Sequence, residues 1–473
     1  MTATNIKSLL LLLLIIFMGV VLRFYRINTL ATFRSDQAIE LNGAYEISRG
    51  KFSLIGIKTS NSEIRNGAVM YYLTVPFLLL FENHPLAGSV LQTMLSLATA
   101  AVLYLLLGKE NKRTALTAAF LVAASALLVR FSRQTMLAFY PLFFSGFALW
   151  LFSKLNEKFD KKSVFALGLI LGFMLQIHYS TFTVVLSALL FPFLFLRKYL
   201  KNYFLLIVPG FLIGFLPMLV FELRHEFFNT KMLWAFVSSS SSAPMASFNH
   251  FVYWQKVVAG FFFGENFVFA GIFIICLLLW LTRRRSALKQ IEKISLLAIA
   301  SNVLFGLVFV KTYTPHYAVA AVPALVAMTA IFITGVAGRL APLLLAIFFL
   351  INFPGYGFSD NHGWTMADGW NQSGIEKAAD TIYEDALNGQ FNVAMLVDAE
   401  NQGWPLRYFL KIRGKEPQAA DKYDRAETLY LVSEPGIDLD NIKMWELTSF
   451  GAYTIGNQWE IQNGYVLYKL QKI

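Results

Sequence analysis

From Leu9 to Leu22 this chain has no polar side chain at all, and apolar runs of similar kind recur along most of its length. In lipid, every backbone N–H and C=O must be satisfied within the segment, so such runs can cross a bilayer only as helices. The hydrocarbon core takes about 20 residues per crossing. Candidate crossings lie at 8–25, 86–107, 114–131, 136–153, 163–178, 180–196, 203–221, 264–281, 292–310, 317–336 and 339–353. The expected fold class is an all-α polytopic membrane protein with about 11 transmembrane helices. Composition agrees. Charged residues make up 15% of the chain, against about 25% in soluble domains. Lys7 precedes the first run and no A-x-A-like site follows it, so that run is expected to be a retained helix and not a cleaved signal.

Lys and Arg set the orientation. Lys109, Lys112 and Arg113 follow one run, and Lys154, Lys158, Lys161 and Lys162 another. Arg197, Lys198 and Lys201 come next, then Arg283, Arg284, Arg285, Lys289 and Lys293, then Arg339. Every second short loop is basic, which places these loops in the cytoplasm. The run "GAVMYYLTVPFLLLF" (67–81) would break that alternation as a span, and its length suits an interfacial or re-entrant segment. The N-terminus is then cytoplasmic and the C-terminus outside, in a multi-pass protein expected in the plasma membrane.

This leaves a membrane domain over 1–353 with two long outer loops, 26–85 and 222–263. The second contains the run Ser238–Ser242, expected to be a flexible segment. Residues 354–473 turn soluble and acidic, with ten Lys/Arg and seventeen Asp/Glu. "SGIEKAADTIYEDALNG" has helical periodicity and ends at a glycine, while "FNVAMLVD", "TLYLVSE" and "GYVLYKLQK" have the pattern of strands. The tail is expected to be a small extracytoplasmic α/β domain.

Several function classes drop out. The single cysteine, Cys276, permits neither an intramolecular disulfide nor a cysteine metal site. The six histidines show no H-x-x-x-H spacing, so no metal and no cofactor is expected. No G-x-x-x-x-G-K-[ST] or G-x-G-x-x-G loop is present to hold a nucleotide. The net charge of +11 is scattered between spans, which argues against nucleic acid and for anionic lipid or phosphate.

The informative polar residues lie at the outer ends of the runs: Asp36 and Glu40, Arg130 and Arg133, His178 and Tyr179, Glu222, Arg224 and His225, and Lys311, Tyr313, His316 and Tyr317. Asn302 is the main mid-span exception, expected to bond a neighbouring helix. A transporter places its binding groups near the bilayer midplane. An enzyme acting on a lipid-linked substrate places them at one interface, and that is the pattern here. A lipid-linked glycan flippase and a non-catalytic envelope assembly protein remain the alternatives.

In order along the chain stand "RFYRINTLATFRSDQAIELNGAYEISRGKFSLIG", "MYYLTVPFLLLF", "RFSRQTMLAFYPLFF" and "KTYTPHYAVAAVPALVAM". Over roughly 8–350 the chain resembles the GT-C superfamily of membrane glycosyltransferases, and within it the protein O-mannosyltransferase-like family 39 and the aminoarabinose transferases. The resemblance implies a sugar taken from a polyprenyl-phosphate donor on the outer face, with inversion, and passed to an envelope acceptor. Asp36 matches the family's catalytic acid in the first outer loop. The family often has Glu next, where this chain has Gln37, so Glu40 enters as a second candidate. His316, Tyr317, Pro323, Ala324 and Leu325 match an "HY…P…PAL" signature, and Ser132 and Arg133 an "SR" pair.

The candidate set is Asp36 and Glu40 for catalysis, Arg133, Arg224, Lys311 and His316 for the donor phosphate, and Tyr179, Glu222, Tyr313 and Tyr317 for other substrate contacts. A base near the acceptor and cations near the departing phosphate are what such a transfer requires. Plainer readings stand beside these. Ser35-Asp36 suits a helix N-cap. Glu40 is expected to pair with an arginine on a solvated face, and Glu222 and Arg224 could be a local pair. Arg130 and Arg133 could be interfacial anchors.

Overall fold

The computed structural model describes residues 3–59, 63–240, 249–309, 314–387 and 390–473. Each apolar run is helical there, from Ala3–Phe24 through Ala341–Asn352. Six helices are long and apolar enough to cross a membrane, or up to eight if each of two bent pairs forms one span. That is fewer than the expected eleven because several runs form short or broken helices; Lys161–Ile177, for example, has 17 residues. The segment 67–81 contains the 12-residue helix Val69–Leu80, short as its composition requires. The basic loops share one end of the bundle, where Lys109 pairs with Glu157 and Lys289 with Glu110, both at 2.7 Å.

One broken span shows how a bend is tolerated in an apolar setting. Helices Lys112–Ala124 and Ala126–Ser132 meet at Ser125 at an angle of 56°. The break frees backbone groups that need partners. Arg23, fully buried, donates to the carbonyls of Val122 (3.2 Å) and Ala123 (2.8 Å). The Tyr356 hydroxyl donates to Ala124 O at 2.8 Å, and Asn352 Oδ1 accepts from Ala126 N–H at 2.9 Å. Asn302 behaves as expected, its Nδ2 donating to Thr183 Oγ1 at 3.3 Å.

Helices Lys161–Ile177 and Leu200–Gly214 approach backbone to backbone. A Cβ at Gly168 or Gly172 would run into the carbonyl oxygens of Ile207 and Phe211, and one at Gly210 or Gly214 into those of Phe165 and Leu169. Two small-x-x-x-small pairs thus face each other across this contact.

Two strands lie in the first long loop, β1 (Ile55–Lys58) and β2 (Arg65–Gly67), paired antiparallel. The tail carries β3 (Phe391–Leu396), β4 (Thr428–Ser433), β5 (Tyr453–Gln462) and β6 (Tyr465–Lys472), in the order β3-β4-β6-β5. β3 and β4 are parallel and the other pairs antiparallel. Helix Gln372–Asp385 starts at an Asn371 cap and ends before Gly389, which lies outside the described residues.

The tail does not hold its core alone. Phe33, Leu41 and Ala44 of the first long loop lie in one buried cluster with Trp370, Ile375, Leu406 and Phe409 of the tail. The Phe33 ring stands edge-on to Tyr408 and Phe409 at 5.7 and 5.5 Å. Tyr408 Oη donates to Asn83 O at 2.7 Å. The tail is therefore packed onto the segment that carries Asp36.

Candidate active site

Helix Ser35–Ser48 presents Asp36 in its first turn. The helix is capped by its neighbour: Gln37 Oε1 accepts the Arg34 backbone N–H at 3.0 Å. The departure from the acidic pair therefore has a local function, because Gln37 takes the cap while the Asp36 carboxylate makes no hydrogen bond among the described residues. Asp36 reaches solvent, yet protein crowds its carboxyl on the inner side. That desolvation raises its proton affinity, and the Arg34 charge opposes the rise.

Glu40, one turn on, is 4% exposed. The expectation of an arginine partner on a solvated face is wrong: its Oε1 accepts the Leu137 backbone N–H at 3.0 Å, in a site closed over by the packing of this helix. Burial pushes its carboxyl up to about 8, the Leu137 bond opposes this, and the nearby Asp36 charge adds to it. Glu40 therefore keeps its proton near neutral pH.

Contacts lead from Glu40 along an open circuit. Leu137 leads to Phe139, whose ring is edge-on to His316 at 6.2 Å. His316 faces His178 at 6.3 Å, and His178 stacks on Tyr317 at 6.0 Å. His178 Nδ1 accepts the Ser180 N–H at 3.2 Å, which leaves the ring proton on Nε2. The adjacent Tyr179 Oη donates to Arg65 O at 3.0 Å. The Arg65 charge acts on the Tyr71 phenol, whose proton affinity rises through burial. The circuit gathers Tyr179, His316 and Tyr317 from the candidate set.

Arg65 was missed in the sequence. Its backbone is fixed on both sides by Asn229, Oδ1 accepting its N–H and Nδ2 donating to its C=O, each at 3.0 Å. Its half-buried guanidinium has no hydrogen bond or ion pair among the described residues. Nothing in the sequence separates it from Arg26, Arg34 and Arg49 of the same loop.

Other candidates serve the scaffold. Arg133, 3% exposed, donates to the carbonyls of Arg23 (3.3 Å), Tyr356 (2.6 Å) and Leu22 (2.7 Å). Glu222 does not pair with Arg224. Its two oxygens accept the N–H groups of Asn229 and Thr230 at 3.0 Å each, capping helix Phe228–Ser240. Arg224 is exposed. Arg130 pairs with Glu265 at 3.4 Å. Lys311 and Tyr313 lie outside the described residues, as do Ser241 and Ser242; Ser238 to Ser240 end a helix instead of forming a loop. Among the described residues no three His, Cys, Asp or Glu side chains converge as metal ligands would.

The fold, a bundle of apolar helices with a small sheet domain packed on the segment that carries Asp36, is shared by several solved structures. It superposes on ArnT from Cupriavidus metallidurans bound to undecaprenyl phosphate with a TM-score of 0.65 and 13% identity, over 99% of this chain and 98% of that one. The Archaeoglobus fulgidus oligosaccharyltransferase in complex with zinc and sulfate gives 0.56 and 13%, over 90% and 68%. The oligosaccharyltransferase AglB from the same organism, with an inhibitory peptide and a dolichol-phosphate, gives 0.52 and 11%, over 92% and 70%. Residues 66–221 match the family described as dolichyl-phosphate-mannose-protein mannosyltransferase. A comparison with curated protein sequences finds no match.

Proposed function

We propose that this chain is an inverting glycosyltransferase that moves a sugar from a polyprenyl-phosphate donor to a hydroxyl of a cell-envelope acceptor, on the extracytoplasmic side of the membrane. The observation that carries the reading is Asp36: an accessible carboxylate with raised proton affinity and no capping duty, on a helix start held by its neighbours. Asp36 takes the proton of the acceptor hydroxyl as its oxygen attacks the anomeric carbon. The bond from that carbon to the phosphate oxygen breaks, and its electron pair leaves with the lipid phosphate. Arg65 faces that developing charge, with Lys311 as a further candidate cation. Glu40, neutral at pH 7, adds no second negative charge beside Asp36. Tyr179 and Tyr317 serve in this reading as wall groups, and Arg133 and Glu222 as supports. Eleven crossings with a cytoplasmic N-terminus fit the basic loops, and bound lipid phosphates in the similar structures support the donor class.

The test is transfer from a panel of labelled polyprenyl-phosphate sugars in washed membranes, comparing wild type with Asp36→Asn. Consumption of one donor by wild type and not by an equally abundant Asp36→Asn supports the reading. Equal consumption by both ends the role of Asp36.

A further inference from the structure

We infer that Glu400 of the tail is a positioning residue for Asp36, acting through Arg34 and Ser35. The inference rests on the glycosyltransferase reading and adds to it a task for residues 354–473.

Glu400 is 8% exposed and turns both oxygens on the start of the Asp36 helix. Oε1 accepts from Arg34 Nε at 3.0 Å; Oε2 accepts the Ser35 backbone N–H at 3.0 Å and the Ser35 hydroxyl. The Arg34 guanidinium is then fully committed, since Nη1 donates to Thr365 O at 3.0 Å and Nη2 to Asp398 O at 2.7 Å. The residues flanking Asp36 on its N-terminal side are thus held by the tail, while its own carboxylate stays unbonded.

The tail departs from relaxed geometry to do this. Asp398 and Ala399 sit at φ 58° and 56°, and Thr365 at 68°. Left-handed non-glycine residues persist where the surroundings over-determine them, and they cluster at functional sites. These residues bring two carbonyls and the Glu400 carboxylate onto one arginine. The turn follows β3, at the carboxyl edge of the two parallel strands. A second tether, Lys411 on Glu46, holds the far end of the same helix, so Glu400 is not needed merely to keep tail and helix together.

The charged groups around this contact are Arg34, Asp36, Asp398 and, beyond it, Glu434. Glu400 offsets the Arg34 charge that acts on Asp36. Glu400→Gln keeps the shape and removes that offset, so the acid limb of the rate profile moves to lower pH by about 0.5 unit. A docking role alone would leave the limb in place.

The full-length protein in detergent is compared as wild type, Glu400→Ala and Glu400→Gln by hydrogen–deuterium exchange and by donor turnover against pH. Exchange in the 33–40 region should rise about tenfold in Glu400→Ala, the size expected on loss of a charge-assisted hydrogen bond, with β3–β4 protection kept. If the alanine variant loses that protection, Glu400→Gln carries the measurement. Unchanged exchange overturns the inference whether or not the protein is active. Raised exchange with an unmoved limb and unchanged kcat overturns it too, leaving Glu400 as a dock. If wild type consumes no donor, the glycosyltransferase reading fails and the exchange result alone decides whether Glu400 orders Asp36.

Discussion

Glu40 Oε1 accepts the Leu137 amide at 3.0 Å, and no cation stands against it among the described residues. A buried carboxyl of this kind holds its proton up to about pH 8 when folded and loses it near the ordinary 4.5 when unfolded. The folded state therefore binds more protons between those values, and stability falls as pH rises from about 4.5 to about 8. Glu40→Gln removes the dependence. Its melting temperature in detergent should match wild type near pH 5 and exceed it by a few degrees at pH 8.5. A lower melting temperature at pH 8.5 would mean that Glu40 is ionised and paired.

Gln37 supplies the cap that Asp36 does not. In Gln37→Glu the side-chain oxygen still accepts the Arg34 N–H, so folded yield should hold. The weak bond from Gln37 Nε2 to Gln134 Oε1 at 3.4 Å is lost, and a negative charge is added beside Asp36. A like charge raises proton affinity. The acid limb of donor turnover should move to higher pH, opposite in sign to Glu400→Gln. Gln37→Ala should instead cost stability, about 1 kcal/mol as for other lost caps, visible in thermal unfolding.

The sequence made the helices legible because lipid allows so few alternatives, and the length of 67–81 was enough to mark a short helix. Asp36 was legible as a candidate through its order among the motifs, although the plainer capping role was assigned to it and not to Gln37. What could not be read was anything set by the tail. Glu40 looked solvated because its helix seemed to face water; Phe409 and Leu406, more than 300 residues on, cover Leu41 and Ala44, while Glu40 itself meets Leu137. Glu400 had no local pattern to distinguish it from the other acids of the tail. β5 was missed because its exposed run through Thr454, Gly456, Asn457 and Gln458 lacks an apolar alternation. Glu222 lay beside Arg224 in sequence, yet the chain returns at Asn229 and Thr230 to claim both its oxygens.

Arg65 offers a test of the cation assignment that leaves the fold alone. Asn229 holds only its backbone, so Arg65→Ala should preserve folded yield. Loss of a cation facing the departing phosphate should lower kcat/KM for the donor by about 10²-fold. Arg65→Lys should recover part of that loss, since a point charge lacks the forked geometry. The same substitutions at Arg224, which is exposed, should change turnover less than about threefold. If the two arginines exchange these outcomes, the phosphate lies on the Arg224 side and the circuit is a wall.

The last prediction concerns the platform under the site. Helix Lys161–Ile177 leads directly into His178 and Tyr179, and the backbone contact at Gly168, Gly172, Gly210 and Gly214 fixes where it ends. A Cβ at Gly172 meets the Phe211 carbonyl, which is backbone and cannot rotate away. Gly172→Ala should therefore push the helices apart at a cost of about 1–3 kcal/mol, and Gly172→Leu should prevent folded protein from accumulating. Gly335 is the control: the nearest atom to an added Cβ there is Trp280 Cζ2 at 3.7 Å, an ordinary contact. Gly335→Ala should leave yield and melting temperature unchanged or slightly raised. The displacement in Gly172→Ala would move Tyr179 away from the Arg65 carbonyl. Donor turnover should then fall further than the loss of folded protein explains, and turnover per folded molecule is the quantity that decides it.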